Sequence, residues 1–159
     1  MTWYYDLIIL VVLCIIIAII IGRTHKRLLR MWKEVSSKEI VFYRQLEKVV
    51  KLFYEYKEIL RTEENEEFIR LITRYRKKRI RSLLLGTRQE IYTALTIIYD
   101  VTLEQDHTSF PLLKKEYKQM QIVRRVYNSQ VLIYNQTISV FPTRYLALRM
   151  NLELKEYFG

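Results

Sequence analysis

Two histidines, one cysteine and a run of four glutamates are the residues of this chain best suited to metal binding or catalysis. His25 and His107 are far apart in sequence, so they cannot form the close ligand pair of a zinc site. Cys14 lies inside an apolar run, which rules out a disulfide framework and is compatible with a reducing compartment. Glu63, Glu64, Glu66 and Glu67 lack the glycine and the alternating spacing of a calcium loop, and they read as a solvated turn. With only three glycines there is no loop to cradle a phosphate. Serines and threonines are scattered without a His-Asp partnership. The expectation is a protein that is not an enzyme, with no catalytic residue, no cofactor and no metal.

One strongly charged cluster remains, Arg74-Tyr-Arg-Lys-Lys-Arg-Ile-Arg81, with six basic residues in eight. On a helix these positions point all around the axis and make no groove-reading stripe. Nothing resembles a zinc finger or an aromatic single-strand platform. Nucleic acid is therefore disfavoured as a partner. A solvated helix face is preferred, with anionic lipid or an acidic protein as the other readings.

The element that must place these residues is the run Leu7 to Ile21, fifteen apolar residues of which thirteen are Leu, Ile or Val. At a few tenths of a kcal/mol each, they favour membrane insertion by roughly 4 to 8 kcal/mol. With Gly22 the run measures about 24 Å as a helix, a little short of a hydrocarbon core. Trp3, Tyr4 and Tyr5 can extend it as an aromatic belt, and Arg23 and Lys26 can snorkel at the other end. A cleaved signal peptide fits poorly, because Asp6 stands where a basic region belongs and no small-x-small site follows Ala18. No Lys or Arg precedes residue 23, and five fall between Arg23 and Lys33. The positive-inside rule then places residues 1–6 outside the cell, 7–22 across its membrane and 23–159 in the cytoplasm. All 27 Lys and Arg follow Gly22 with 16 of the 17 acidic residues, so that part carries 27 less 16, or +11. Such a charge suits an anionic neighbour.

Few glycines and prolines, and no long alternating stretch, indicate an all-α chain. A 4-3 apolar spacing runs Leu28, Trp32, Val35, Phe42, Leu46, Val49, Phe53, Tyr56, Leu60, interrupted only by Glu39. It predicts a first cytoplasmic helix from Arg23 to about Arg61, followed by a turn over Thr62–Glu67 with Asn65 as a cap. A second helix is expected from about Glu66 to Leu85, carrying Phe68, Ile72 and Tyr75 and stopped by Gly86. Thr87 and Glu90 fit a capping box for a third, with Ile91, Leu95 and Ile98 inward, ending at Glu104–Ser109. The fourth starts at Pro111 and keeps the same spacing through Leu113, Tyr117, Met120, Tyr127, Val131, Tyr134, Ile138 and Phe141, with Arg124 as the lone exception, until Pro142 ends it. The fold class is an antiparallel, coiled-coil-like four-helix bundle behind a single transmembrane helix.

Within the fourth helix, Tyr127-Asn128, Val131, Tyr134-Asn135, Ile138 and Phe141-Pro142 form a string at fixed offsets. With Ala147 and the pair Tyr157-Phe158, it resembles the LemA family of bacterial membrane proteins. Arg27-Leu28 and Val35 give a fainter echo. The chain departs from the family at Lys51-Leu52-Phe53-Tyr54-Glu55, where an Asp-Leu-Ile-Pro-Asn-type segment is usual, and at Asn151-Leu152, where Gly-Phe is usual. It looks like a divergent member. The resemblance implies an all-α bundle on one membrane helix, and it carries no reaction.

Physically, Tyr127 and Tyr134 fall on the core stripe, each with a hydroxyl needing a partner. Asn128 and Asn135 flank the stripe and are expected to bond across to a neighbouring helix, fixing register. Leu146, Met150, Leu154 and Tyr157 would make one apolar stripe of a last helix, which either meets lipid or covers the open end of the bundle. The functional expectation is a membrane-anchored scaffold that binds lipid and either associates with itself or binds an envelope protein. The alternative is a signalling adaptor coupling a membrane partner to a cytoplasmic one.

Overall fold

The computed structural model describes residues 3–103 and 110–159. Among these the chain is helical, and one continuous helix, α1 (Trp3–Glu55), contains both the apolar run and the first 4-3 stripe. At 1.5 Å per residue α1 is about 80 Å long. Its two halves differ completely in environment. Every residue from Trp3 to Arg23 is exposed, whereas Leu28, Val35, Phe42, Leu46, Val49 and Phe53 are fully buried. An aliphatic helix uncovered on every side is not a core helix of this chain. It is long and apolar enough to cross a membrane.

After Tyr56 a single turn, α2 (Lys57–Leu60), continues the same path and buries Leu60. The chain then reverses through 62–65. Asn65 takes the expected cap position ahead of α3 (Glu66–Tyr75), but its side chain bonds backward instead of capping. Its Nδ2 donates to the Leu60 carbonyl at 2.7 Å, and its Oδ1 accepts from the Thr62 N–H at 2.9 Å. Asn65 is wholly buried, so the tight turn depends on these two bonds.

The expected second helix ends ten residues early. Like charges three and four apart, such as Arg74 with Lys78 and Arg76 with Arg79, each weaken a helix by a few tenths of a kcal/mol. A tertiary contact completes the break: Ile80 is buried, and its N–H donates to Glu47 Oε1 on α1 at 2.8 Å. A 3-10 turn at Ile80–Ser82 leads directly into α4 (Leu85–Ile98), which widens into a π turn over Tyr99–Leu103. Gly86 is therefore not a stop but part of the first turn of α4. That helix starts ahead of Thr87, with Leu84 at its cap and no side-chain capping bond. The expected end at Glu104–Ser109 lies outside the described residues, as does His107.

The longest partner of α1 is α5 (Pro111–Ser139), with Pro111 at its start as expected. Glu116 of α5 accepts from Gln45 at 2.8 Å and pairs with Lys48 at 2.7 Å, while Gln130 reaches Glu34 at 3.2 Å. Climbing α5 thus means descending α1. The Lys48 and Gln45 bonds hold the Glu116 carboxyl below its ordinary range. The α5 stripe is buried from Leu113 to Ile138, but Phe141 departs from it and is 84% exposed. Pro142, after a cis peptide bond, leads into α6 (Thr143–Arg149). α3 and α4 pack on each other and against α1, and α6 against α1 and α5.

Candidate functional site

The last segment, 152–159, has no helix or strand, and the Tyr-Asn pairs of α5 hold it. Asn135 Nδ2 donates to the Lys155 carbonyl at 2.7 Å, while its Oδ1 accepts the Lys155 N–H at 2.9 Å. Asn128 does the same for Phe158, at 2.9 and 3.0 Å. Each asparagine therefore pairs both backbone groups of one residue, as a neighbouring strand would. The tyrosines repeat the step: Tyr134 donates to the Glu153 carbonyl and Tyr127 to that of Glu156, both at 3.0 Å.

The spacing explains why a seven-residue repeat is needed. Seven helical residues rise about 10.5 Å, and three residues of extended chain span about 10 Å. A heptad of Tyr-Asn thus matches a three-residue step of a segment running the opposite way along the helix. The asparagines do not bond a neighbouring helix, contrary to the sequence expectation. Partners with a backbone in register with the heptad lie in the segment 153–158.

Burial sets the electrostatics. Burial, and after it the Glu39 charge, pushes the Tyr127 hydroxyl well above its ordinary value, and burial raises that of Tyr134. Both stay neutral donors at any physiological pH. Tyr43 is also raised by burial, which outweighs the Arg88 guanidinium bonded to its hydroxyl.

Phe158 is the apolar anchor of the segment. It is 1% exposed and meets the rings of Phe42, Tyr92 and Tyr43 at 4.7, 5.7 and 5.8 Å. Of the motif residues, Tyr127, Asn128, Tyr134, Asn135 and Phe158 form this one arrangement. Val131, Ile138 and Ala147 are buried in the core beside it. Phe141, Pro142 and Tyr157 are exposed and take no part through their side chains. The expected terminal stripe is not helical beyond Arg149: Leu146 and Met150 pack inward, while Leu154 and Tyr157 remain exposed.

Three further residues hold the segment. Gln89 of α4 donates to the Tyr157 carbonyl at 3.1 Å and accepts the Gly159 N–H at 3.2 Å. The other two were visible as flaws in the apolar spacing. Glu39 interrupts the α1 stripe and pairs with Lys155 Nζ at 2.9 Å. Arg124 interrupts the α5 stripe, donates to the Phe158 carbonyl at 2.9 Å and lies over the Tyr92 ring. A cavity of about 330 Å³ opens beside the segment, lined by Trp32, Glu39, Arg88, Tyr127 and Glu156 among others.

The basic cluster is not one helix face. Arg74 closes α3, residues 76–79 form the turn and Arg81 lies in the 3-10 turn. Arg76 stacks 4.4 Å from the centre of the Tyr54 ring and donates to the Thr73 carbonyl, so part of the cluster is structural. It sits beside Glu47, about 40 Å along α1 from Gly22. Among the described residues no three His, Cys, Asp or Glu side chains group as metal ligands.

Replacing Asn128 and Asn135 together by alanine leaves both backbone groups of Lys155 and the N–H of Phe158 unpaired, while the Phe158 carbonyl keeps its Arg124 donor. The expected result is a loss of about 2–5 kcal/mol of folding stability. Amide exchange at positions 155 and 158 should rise well before exchange in α1. Unchanged protection at those two amides would contradict the clamp.

No protein-family model, curated protein or solved structure matches this chain.

Proposed function

We propose that the chain is a membrane-anchored, non-enzymatic helical scaffold at the inner face of the bacterial cytoplasmic membrane, of LemA type. The observation that carries this reading is α1 itself. One unbroken helix passes from an uncovered aliphatic half into the core of the folded part, so the anchor and the presented domain are mechanically one piece. The basic residues after Gly22 support an outside N-terminus and a cytoplasmic domain. The long α1/α5 pair, with α3 and α4 on its distal part, is read as an uneven antiparallel, coiled-coil-like four-helix bundle.

Support for the family reading comes from the way the matching residues act together on the segment 153–158. The departure at Asn151-Leu152 is conservative in conformation. Asn151 has φ 51, where glycine is usual, and the Leu152 N–H returns to the Ala147 carbonyl at 2.9 Å in a helix-ending turn.

Self-association is the favoured work of the scaffold. Ile122, Val126 and Ile133 share one outer face of α5 and are left uncovered, a stripe suited to a second helix. Crosslinking and mass spectrometry in cells expressing the full chain test this. Dominant links between copies through that face are expected. Links mainly to a kinase or regulator would instead make the chain an adaptor.

A further inference from the structure

Four apolar side chains at the α5–α6 corner have no cover among the described residues. Val140, Phe141, Tyr145 and Leu148 are all strongly exposed, while Ala147 and Met150 turn α6's other face to the core. The helix register locates this corner. Counting back along α1 from the Glu34–Gln130 bond places Phe141 beside about residue 23, and counting from the Phe42–Tyr127 stack places it beside about residue 28. Either level is within about 10 Å of Ile21, the end of the apolar run. The charges agree. No acidic residue occurs between 7 and 33 or between 140 and 152, whereas Arg23, Lys26, Arg27, Arg30, Arg144 and Arg149 do.

We propose that this corner is a second membrane contact. Phe141, Tyr145 and Leu148 enter the headgroup region of the leaflet from which α1 emerges, and Arg144 and Arg149 lie against anionic lipid phosphates. The contact rests on α1 spanning the bilayer. It also gives that anchor a function beyond tethering, since two attachment points fix the tilt of the folded part. An aromatic ring and two aliphatic or amphipathic side chains beside arginines are the usual composition of an interfacial segment.

The test uses the full chain with Trp3→Phe and Trp32→Phe, which removes both native tryptophans. A single indole is then introduced by Phe141→Trp, or by Ile59→Trp at an exposed position far up the stalk. The proteins are reconstituted in vesicles of phosphatidylcholine and phosphatidylglycerol, with and without lipids brominated near the headgroup. An indole at 141 is expected to lose about half or more of its emission to brominated lipid, and one at 59 very little. Equal, weak quenching at both positions in protein that floats with the vesicles overturns the corner contact and leaves the anchor standing. An emission blue-shifted without bromine quenching assigns the corner to a second copy and likewise overturns it. Protein that fails to float overturns both readings.

Discussion

Phe158→Ala lowers folding stability by about 3–5 kcal/mol, the ordinary cost of emptying a fully enclosed aromatic site. The effect is large for a residue in a segment without regular structure because three rings from α1 and α4 close around this side chain. Its backbone is tied on both sides, N–H and carbonyl, by Asn128, with Arg124 adding a second donor to the carbonyl. Losing the ring therefore loosens the polar clamp as well. Chemical denaturation of the full chain in detergent reads the loss, and amide exchange at Lys155 reads the release. The neighbouring Tyr157→Ala is the control: its side chain is about half exposed and should cost less than about 1 kcal/mol. Equal effects at 157 and 158 would mean that the segment is not seated as described.

Val12→Arg combined with Ile16→Arg abolishes stable membrane association. Each arginine at mid-span costs about 2.5–3.5 kcal/mol and forfeits a few tenths of favourable transfer. Together they cancel the roughly 4–8 kcal/mol that the run provides. Both side chains are exposed and touch no part of the folded domain, so the domain itself should keep its stability. Alkaline extraction is the measurement: the native chain stays with the membrane pellet, and the double variant moves to the supernatant. A variant that remains in the pellet would show that something other than the apolar run holds the protein there.

How far these features were legible in the sequence depended on whether they repeat. The α1 and α5 stripes repeat every seven residues over many turns, and the burial from Leu28 to Leu60 and from Leu113 to Ile138 follows them except at Trp32, which is exposed while its neighbour Met31 is buried. The α3–α4 boundary does not repeat. It depends on repulsion among the lysines and arginines and on a bond from Ile80 to Glu47, thirty-three residues away, and no local pattern encodes that bond. Gly86 and the Thr87–Glu90 box looked like punctuation, yet α4 begins before them because the chain has already turned at Ile80.

The Tyr-Asn pairs were recognisable as a unit, whereas their partner was not. A side-chain amide bonding an extended backbone leaves no periodic trace in the segment it holds, and residues 152–159 therefore looked like more helix. The traces that did exist were the two breaks in the stripes. Glu39 and Arg124 are polar where the spacing calls for apolar residues, and each faces the seat of the segment. A charged residue in an otherwise regular stripe is an indication that something other than a helix packs there.

Topology is the most direct test of the membrane-anchored scaffold. With Cys14→Ser removing the native thiol, single cysteines are placed by Thr2→Cys and by Ser82→Cys, and intact bacterial cells are treated with a membrane-impermeant maleimide. The expected result is labelling at position 2 in intact cells and at position 82 only after the membrane is opened. Labelling at 82 in intact cells, or recovery of residues 23–159 as a free soluble fragment, would contradict the account.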